Sequence, residues 1–522
     1  MNLLLQSEEG KNLIDKYSHE VVVEAIRKSI EDFRQEQEQR IKEEELHLSE
    51  GQKLHRLEGQ ELHRFEGQEL HRSKEQEGLT REKEKVQKCL LKRAGYILEE
   101  KFAPSLKRTI NGTGTIIHTN LGRAKLSPTV KDALFDAAFS FSNLEYNLHE
   151  GCRGSRYQHL EEVLCELTGA EAALVVNNNA AAIMLVLDTL AKRKEVIVSR
   201  GELVEIGGSF RVPEIIELSG CKLKEVGTTN KTHRYDYERA IGEETGAILK
   251  VHSSNYKITG FTKSVPIEEL STISINNGEL EKAQSEGHRE EFTPCKEKGE
   301  GICDKSIPLI YDMGSGMIIN LEKYGLPYEM TVRDSLDKGA DVVTFSSDKV
   351  LGGPQGGIIV GKKKYIEAMK KNQLTRTLRV EKMTIATLEA TLRLYYHEQQ
   401  AVEAIPTLKM LVATGDELEK KAKNLAKQLA GVDEKLMVEV IDTYSQVGGG
   451  AYPGEEIKSK GVALSSQRRT ANQLSEELRK ASVPIISKIR NGRCELDVRT
   501  LEAYEFPEIA HTLAVIFEGD EP

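Results

Sequence analysis

The stretch TFSSDKVLGGPQGG, residues 344–357, sets a single lysine, Lys349, between an aspartate and a run of glycines, at the end of an apolar run (DVVTFSS) that reads as a buried strand. A charge in that position needs an explanation, because a buried ammonium is costly unless it is paired or gives up its proton. Other strand-like runs also end in polar chemistry: EAALVVN leads into Asn178 and Asn179 and a small-residue helix, KVH into Ser253, Ser254 and Asn255, PLIY into Asp312 and a tight GSG, and VVTF into Ser346 and Ser347. In open α/β sheets ligands bind at the carboxyl ends of strands, and the N–H groups that open a helix attract anions. One lysine, one strand-end aspartate, hydroxyls beside the lysine and a helix start that a phosphate can approach are the parts pyridoxal phosphate needs. The lysine forms a Schiff base, the aspartate keeps the pyridinium nitrogen protonated so that the ring is an electron sink, and hydroxyls and amides hold the phosphate. On pattern alone, a strand-end lysine also reads as a snorkelling surface residue and an aspartate after a strand as a helix cap.

Elements that could position such a set are visible in the same sequence. From about residue 107 to 404, short β-branched and apolar runs (EVIVSRG, GAILKVH, PLIYDMGSG, GGIIVG) alternate with helical stretches such as AAIMLVLDTLAKRK. That alternation predicts a mostly parallel sheet with helices on both faces, an α/β core. Residues 271–306 interrupt it with a polar, charged segment that reads as a surface insertion, and residues 405–522 read as a smaller α+β domain. Within residues 1–106, the span 11–45 places Ile14, Val21, Val22, Ala25, Ile26 and Ile30 on one helical face, the mark of a helix that packs on something. An eight-residue repeat follows over 49–72 (SEGQKLHR, LEGQELHR, FEGQELHR); eight is neither a heptad nor a multiple of 3.6, so it reads as a tolerated, partly helical insertion. Its histidines, His55, His63 and His71, lack the cysteine or carboxylate spacing that would complete a metal site.

Composition narrows the class further. The 522 residues carry a formal net charge of −10, which argues against general affinity for nucleic acid but leaves room for a local basic patch. Candidates are Lys92, Arg93, Lys107 and Arg108, which also read as solvated helix ends. The opening MNLLLQSEEGKNLIDK is too quickly charged for a signal peptide, and no run approaches the roughly 18 apolar residues of a membrane span, so a cytoplasmic protein with no membrane partner is expected. Seven scattered cysteines show no spacing that suggests zinc or a disulfide framework.

The segments INGTGTIIHTNLGRA, NLEYNLHEGCRGSRYQHLEEVL, VIVSRGELVEIGGSFRVPEI, EVGTTNKTHRYDY, LKVHSSNYKITGFT, YDMGSG and FSSDKVLGGPQGG resemble the bacterial L-seryl-tRNA(Sec) selenium transferase (selenocysteine synthase) family. The likeness continues through QVGGGAYPG and LDVRTL and reaches NLIDKYSHEVVVEAIRKSIEDFR near the start. It implies a fold-type-I pyridoxal phosphate (aminotransferase-like) core between an N-terminal helical tRNA-binding module and a small C-terminal domain. By position, Lys349 matches the Schiff-base lysine, which also shuttles the Cα proton, and Asp312 the pyridinium partner. Asn255, Thr228 and Thr229 match cofactor-pocket positions, and Asn178, Asn179 and Ser346 would serve the phosphate. Arg123, Arg376 and Arg379 match the arginines that receive the anionic selenium donor; guanidinium forks suit tetrahedral oxyanions, though residues 376 and 379 also read as a solvated helix face. Arg153, Arg156 and His159 read either as the mouth of the site or as surface ion pairs. The implied reaction is β-replacement: seryl-tRNA(Sec) becomes selenocysteinyl-tRNA(Sec) through an aminoacrylyl-tRNA intermediate, with selenophosphate as donor, on a homo-oligomer that in the family is a decamer. A related pyridoxal phosphate lyase acting on a small amino acid or amino sugar shares the core but usually lacks the N-terminal helices, so residues 11–45 favour the tRNA enzyme.

Overall fold

The structure, a computed structural model, describes residues 1–47, 70–207, 210–252, 256, 258–273 and 307–518. Residues 48–69, which hold most of the repeat read over 49–72, together with Ser253, Ser254, Asn255 and residues 274–306, lie outside them. Two compact units divide the chain, Met1–Lys107 and Arg108–Pro522.

The first unit is helical: α1 (Asn2–Gln6), α2 (Glu8–Tyr17), α3 (His19–His47) and α4 (Leu70–Phe102). The single helix expected over 11–45 is broken at Ser18, whose φ of 79° leaves the helical region and whose N–H closes α2 on the Ile14 carbonyl. Ser7 starts α2 by accepting the Gly10 N–H at 3.0 Å, and Glu8 and Glu9 suit the positive end of its dipole. The expected apolar face is the packed one: Val22, Ala25 and Ile26 are buried against Leu90, Leu91, Ala94 and Leu98 of α4. Each such large side chain contributes about 1.5–3 kcal/mol. The two long helices run antiparallel, as the cross-helix pairs Glu24–Lys101 (2.8 Å) and Glu36–Arg93 (2.9 Å) show.

The second unit is built on seven strands: β1 (Ala172–Val176), β2 (Glu195–Ser199), β3 (Lys222–Val226), β4 (Thr245–Val251), β5 (Leu309–Gly314), β6 (Val342–Ser346) and β7 (Gly357–Gly361). Their order is β1-β7-β6-β5-β4-β2-β3, with β7 antiparallel to both neighbours and the rest running one way. The strand runs are apolar throughout because helices cover both faces. In β1, Ala173 and Val175 enter one apolar cluster while Ala172, Leu174 and Val176 enter the other, the alternation a strand requires. Ile273, near the start of the segment read as an insertion, is core at 3% exposure, so the core extends past residue 271.

A second sheet joins β8 (Leu436–Gly448), β9 (Glu456–Ser466), β10 (Lys488–Arg490) and β11 (Arg493–Asp497). Its edge is not C-terminal: Thr115–Ile117 pairs with β8, and Ile110–Asn111 pairs with Ile485–Ile486. The residues just after 107 therefore belong with the small α+β layer, not with the large sheet. Asp497 is wholly buried at its centre, accepting from Ser445 Oγ (2.9 Å), Ser459 Oγ (2.7 Å), Lys488 Nζ (3.2 Å) and the Arg499 N–H (3.1 Å).

Candidate active site

Six parallel strands deliver their carboxyl ends to one edge, and Asn178, Asn179, Asp312, Ser346 and Lys349 lie along it. Asp312 on β5 stands opposite Thr344 on β6. Its Oδ1 accepts Asn179 Nδ2 at 2.8 Å and Thr344 Oγ1 at 3.1 Å. Asn179 is the first residue of α5 (Asn179–Leu190), and Asn178 caps that helix by accepting the Ala181 N–H at 2.9 Å. Residues 344 and 346 alternate onto the same face of β6, so Ser346 follows Thr344 toward α5. Gly357 opens β7 opposite Ser346 and Val176; a Cβ there would lie 2.0 Å from the Asn178 carbonyl oxygen, so the helix start can approach the sheet only over a glycine.

Lys349 sits in the turn after β6 and is 8% exposed. The turn is pinned from several sides: the Val350 N–H donates to Ser315 O, the Ala124 N–H to Asp348 O, and the Gly353 N–H to Ser347 O. Burial pushes the Lys349 amine below the usual lysine range; Asp312, Asp348 and Glu329 oppose the shift and Arg123 adds to it. Arg123 is held at φ 62° and its Nη1 meets Asp348 Oδ2 at 2.7 Å. The arginine is thus placed beside the lysine through the neighbouring aspartate.

Arg376 and Arg379 line a different cavity of about 300 Å³, with Arg153, Arg156 and Glu145. Glu145 is its internal counter-charge: Arg156 Nε donates to it at 2.8 Å, Arg153 lies at 3.3 Å and Arg379 at 3.9 Å, and Arg156 foremost holds its carboxyl below the usual range. Arg156 also donates to the Val380 carbonyl, and His159 Nε2 lies 3.1 Å from Leu144 O, so these two residues brace the cavity wall. The cavity adjoins the helix start, because the Asn177 N–H donates to Leu378 O and Val176 pairs with Arg379. Arg123 is not among the residues lining it. Thr228 and Thr229 occupy an exposed turn after β3, in a cleft of about 570 Å³ shared with His252 and Glu329 but not lined by Lys349 or Asp312. Thr228 Oγ1 is engaged with Lys231 N and O in that turn.

The sequence reading passed over Thr344, His252 and Glu329 as site residues. Thr344 was findable as the same-face neighbour two residues before Ser346. Glu329 was not, since nothing local marks an acid that becomes buried only in the fold. Among the basic candidates in the first unit, Arg93 is bound by Glu36 through both carboxylate oxygens at 2.9 Å, and Lys92 lies over the Tyr96 ring. Arg108, which opens the second unit, lies 3.9 Å from Glu505 and 3.8 Å from Glu508. Among the described residues no group of acidic, histidine or cysteine side chains is arranged to hold a metal, and no helix is long and apolar enough to cross a membrane.

The residues present fit pyridoxal phosphate. Lys349 is a buried amine biased toward its neutral form. Burial pushes the Asp312 carboxyl up, against Asn179, Thr344 and Lys349, so a cationic ring N–H would offset its desolvation. Asn179 Oδ1 is buried with no donor among the described residues, an acceptor that a bound hydroxyl or N–H would satisfy. Sheet order, lysine and aspartate together define a fold-type-I pyridoxal phosphate enzyme. The same fold is seen in a D-glucosaminate-6-phosphate ammonia-lyase, which matches 81% of this chain and 98% of its own with a TM-score of 0.53 at 22% identity, a likeness of fold alone. Residues 109–288 and 292–502 match the L-seryl-tRNA selenium transferase family, and residues 1–34 match the selenocysteine synthase N-terminal family. L-seryl-tRNA(Sec) selenium transferases of Alkaliphilus metalliredigens and Clostridium perfringens are 51% and 50% identical to it, over 79% and 81% of this chain and 82% and 85% of theirs. The chain belongs to the L-seryl-tRNA(Sec) selenium transferase family, whose members are pyridoxal phosphate-dependent transferases.

Proposed function

We propose that this chain converts seryl-tRNA(Sec) to selenocysteinyl-tRNA(Sec), replacing the serine β-hydroxyl with selenium from selenophosphate. The observation that carries the reading is the buried Lys349 amine beside the buried Asp312 carboxylate at the strand edge. Pyridoxal phosphate, when bound, supplies an electron sink for β-replacement. Lys349 Nζ would hold it and, in its neutral form, accept the Cα proton. Asp312 would hold the ring nitrogen's proton, with Asn179 and Thr344 fixing the carboxylate. Asn178, Asn179 and Ser346 are assigned to the phosphate: Asn178 organises the N-terminus of α5, where N–H groups and the helix dipole favour an anion. Thr228, Thr229 and Asn255 remain assigned to the cofactor pocket by family position.

Arg123, Arg376 and Arg379 are assigned to the anionic selenium donor. The basic cavity around Arg376 and Arg379, with Glu145 as its counter-charge, supports this for those two residues, and Arg123, outside it, keeps the assignment by family position. The helices of residues 1–107 are assigned to tRNA docking, and the working form is a homo-oligomer in the cytoplasm. The decisive test reduces the protein with borohydride after adding pyridoxal phosphate and maps the labelled peptide. Label on Lys349 is expected; label on another lysine, or none, refutes the assignment. In the same preparation, Arg376→Ala and Arg379→Ala should keep the label but slow selenium transfer about 10- to 150-fold, the consequence of losing one charge-assisted hydrogen bond.

A further inference from the structure

The cavity that holds Arg376 and Arg379 has a carboxylate built into its wall. Among the described residues that line it, Glu145 is the one acid, set among four arginines. A short hairpin puts it there: Tyr146 pairs with Arg153, and the Gly154 N–H donates to the Glu145 carbonyl at 3.0 Å. Its two carboxylate oxygens are held unequally. Oε1 is locked by Arg156, a side chain only 11% exposed, which donates from Nε at 2.8 Å and is anchored in turn on the Val380 carbonyl through Nη1 at 2.8 Å. Oε2 meets only Arg153 among the described residues, at 3.3 Å and from a side chain 78% exposed, a pairing that contributes little and yields readily. Lys370 is engaged elsewhere, by Glu161 at 2.7 Å and Glu367 at 2.9 Å. Arg379 Nη1, 3.9 Å from Oε1, is beyond hydrogen-bond reach of the carboxylate, and Arg376 is exposed. An entering anion therefore meets the forks of Arg376 and Arg379 together with a carboxylate oxygen that can still accept.

Guanidinium groups take the bare oxygens of a tetrahedral anion, whereas an ionised carboxylate only accepts and can face such an anion only across a proton. Phosphate-type dianions keep one O–H near neutral pH; sulfate keeps none. We propose that Glu145 is the specificity-determining residue of this cavity, its Oε2 accepting the O–H of a phosphate-type dianion and turning sulfate away. The proposal rests on the donor-binding role of the cavity given above, since selenophosphate is a phosphate with selenium in place of one oxygen. With sulfate in the same place, a bare oxygen faces Oε2 with no proton between them, and that repulsion is the discriminating element. Arg156 foremost holds the Glu145 carboxyl below its usual range, so near neutral pH the residue remains an acceptor and never a donor.

The test titrates inorganic phosphate and sulfate, at matched ionic strength and neutral pH, into the full-length protein loaded with pyridoxal phosphate, so that the seat of the cofactor's own phosphate is filled. Calorimetry reads the ratio of the two dissociation constants. The parent should hold phosphate about 10- to 150-fold more tightly than sulfate, the consequence of one charge-assisted hydrogen bond. Glu145→Gln offers sulfate an amide donor where the charge stood, so sulfate should tighten and the ratio collapse toward equality. Glu145→Asp keeps a carboxylate on a shorter arm and should keep phosphate ahead. If Glu145 did no more than brace Arg156, Glu145→Gln would weaken both anions together and leave the ratio intact, which overturns the proposal. A parent that binds the two anions alike also overturns it, and decides the matter even if Glu145→Gln does not fold. Arg379→Ala separates the two readings. Phosphate binding that is absent from the parent, or unchanged by Arg379→Ala, overturns the donor assignment and this proposal together, whereas binding that needs Arg379 with a ratio indifferent to Glu145→Gln overturns this proposal alone.

Discussion

Asp312 is buried, and the donors that reach its Oδ1, Asn179 Nδ2 and Thr344 Oγ1, are neutral. An ionised carboxylate so placed costs the fold free energy until a cation arrives, and the direction of its shift tells how that cost varies with pH. Below the unfolded value of about 3.9 both states are protonated and there is no cost. As pH rises toward the higher folded value, the unfolded chain ionises first and the folded state loses stability. Asparagine at 312 keeps the acceptor and has no charge to bury. The Asp312→Asn apoprotein should therefore melt about 2 °C above the parent near pH 7 to 8, with the gap closing by about pH 4. Its uptake of pyridoxal phosphate should weaken. A variant that melts below the parent across that range would show that Asp312 supports the empty fold.

Where strand meets helix, the site depends on how closely β7 approaches the start of α5. The added Cβ of Gly357→Ala would meet backbone, the Asn178 carbonyl oxygen, which cannot swing away as a flexible side chain could. Displacing the helix start should cost about 1–3 kcal/mol and degrade cofactor uptake with it. Gly415→Ala is the matched control. It opens the helix Gly415–Leu429, nothing lies within 4 Å of its built Cβ, and the change should be neutral or slightly stabilising. Melting curves and cofactor titrations of the two variants check this; equal behaviour would mean that the contact relaxes without consequence. The elements themselves were legible wherever burial is two-sided, since runs such as AALVV and GIIVG allow little else. The break at Ser18 was not, because a continuous apolar stripe reads through a one-residue change of backbone.

The binding tasks proposed above fall in different units. Residues 1–107 carry their own apolar cluster, and the cofactor residues all belong to the second unit. A protein beginning at Arg108 should therefore still take up pyridoxal phosphate, while binding of selenocysteine tRNA at low salt should be lost. The intact chain should bind that tRNA with an affinity that falls steeply as salt rises. A gel-shift titration of both forms decides it, and equal tRNA affinity would move the docking surface to the second unit. Ile110–Asn111 and Thr115–Ile117 must stay in such a truncation, because they complete pairings with Ile485–Ile486 and β8.

The sequence by itself determined the α/β class and brought Lys349, Asp312, Asn178 and Asn179 forward as a set, because strand ends and helix starts are local features and chemistry placed there reads in short windows. Tertiary structure decided what no window contains. It paired Arg123 with Asp348 across 225 positions, set Glu145 among the arginines, closed the C-terminal sheet with an N-terminal strand, and aimed Glu329 at His252. The physical reason is that the protonation of a buried group depends on which charges and dipoles surround it, and those arrive from distant parts of the chain.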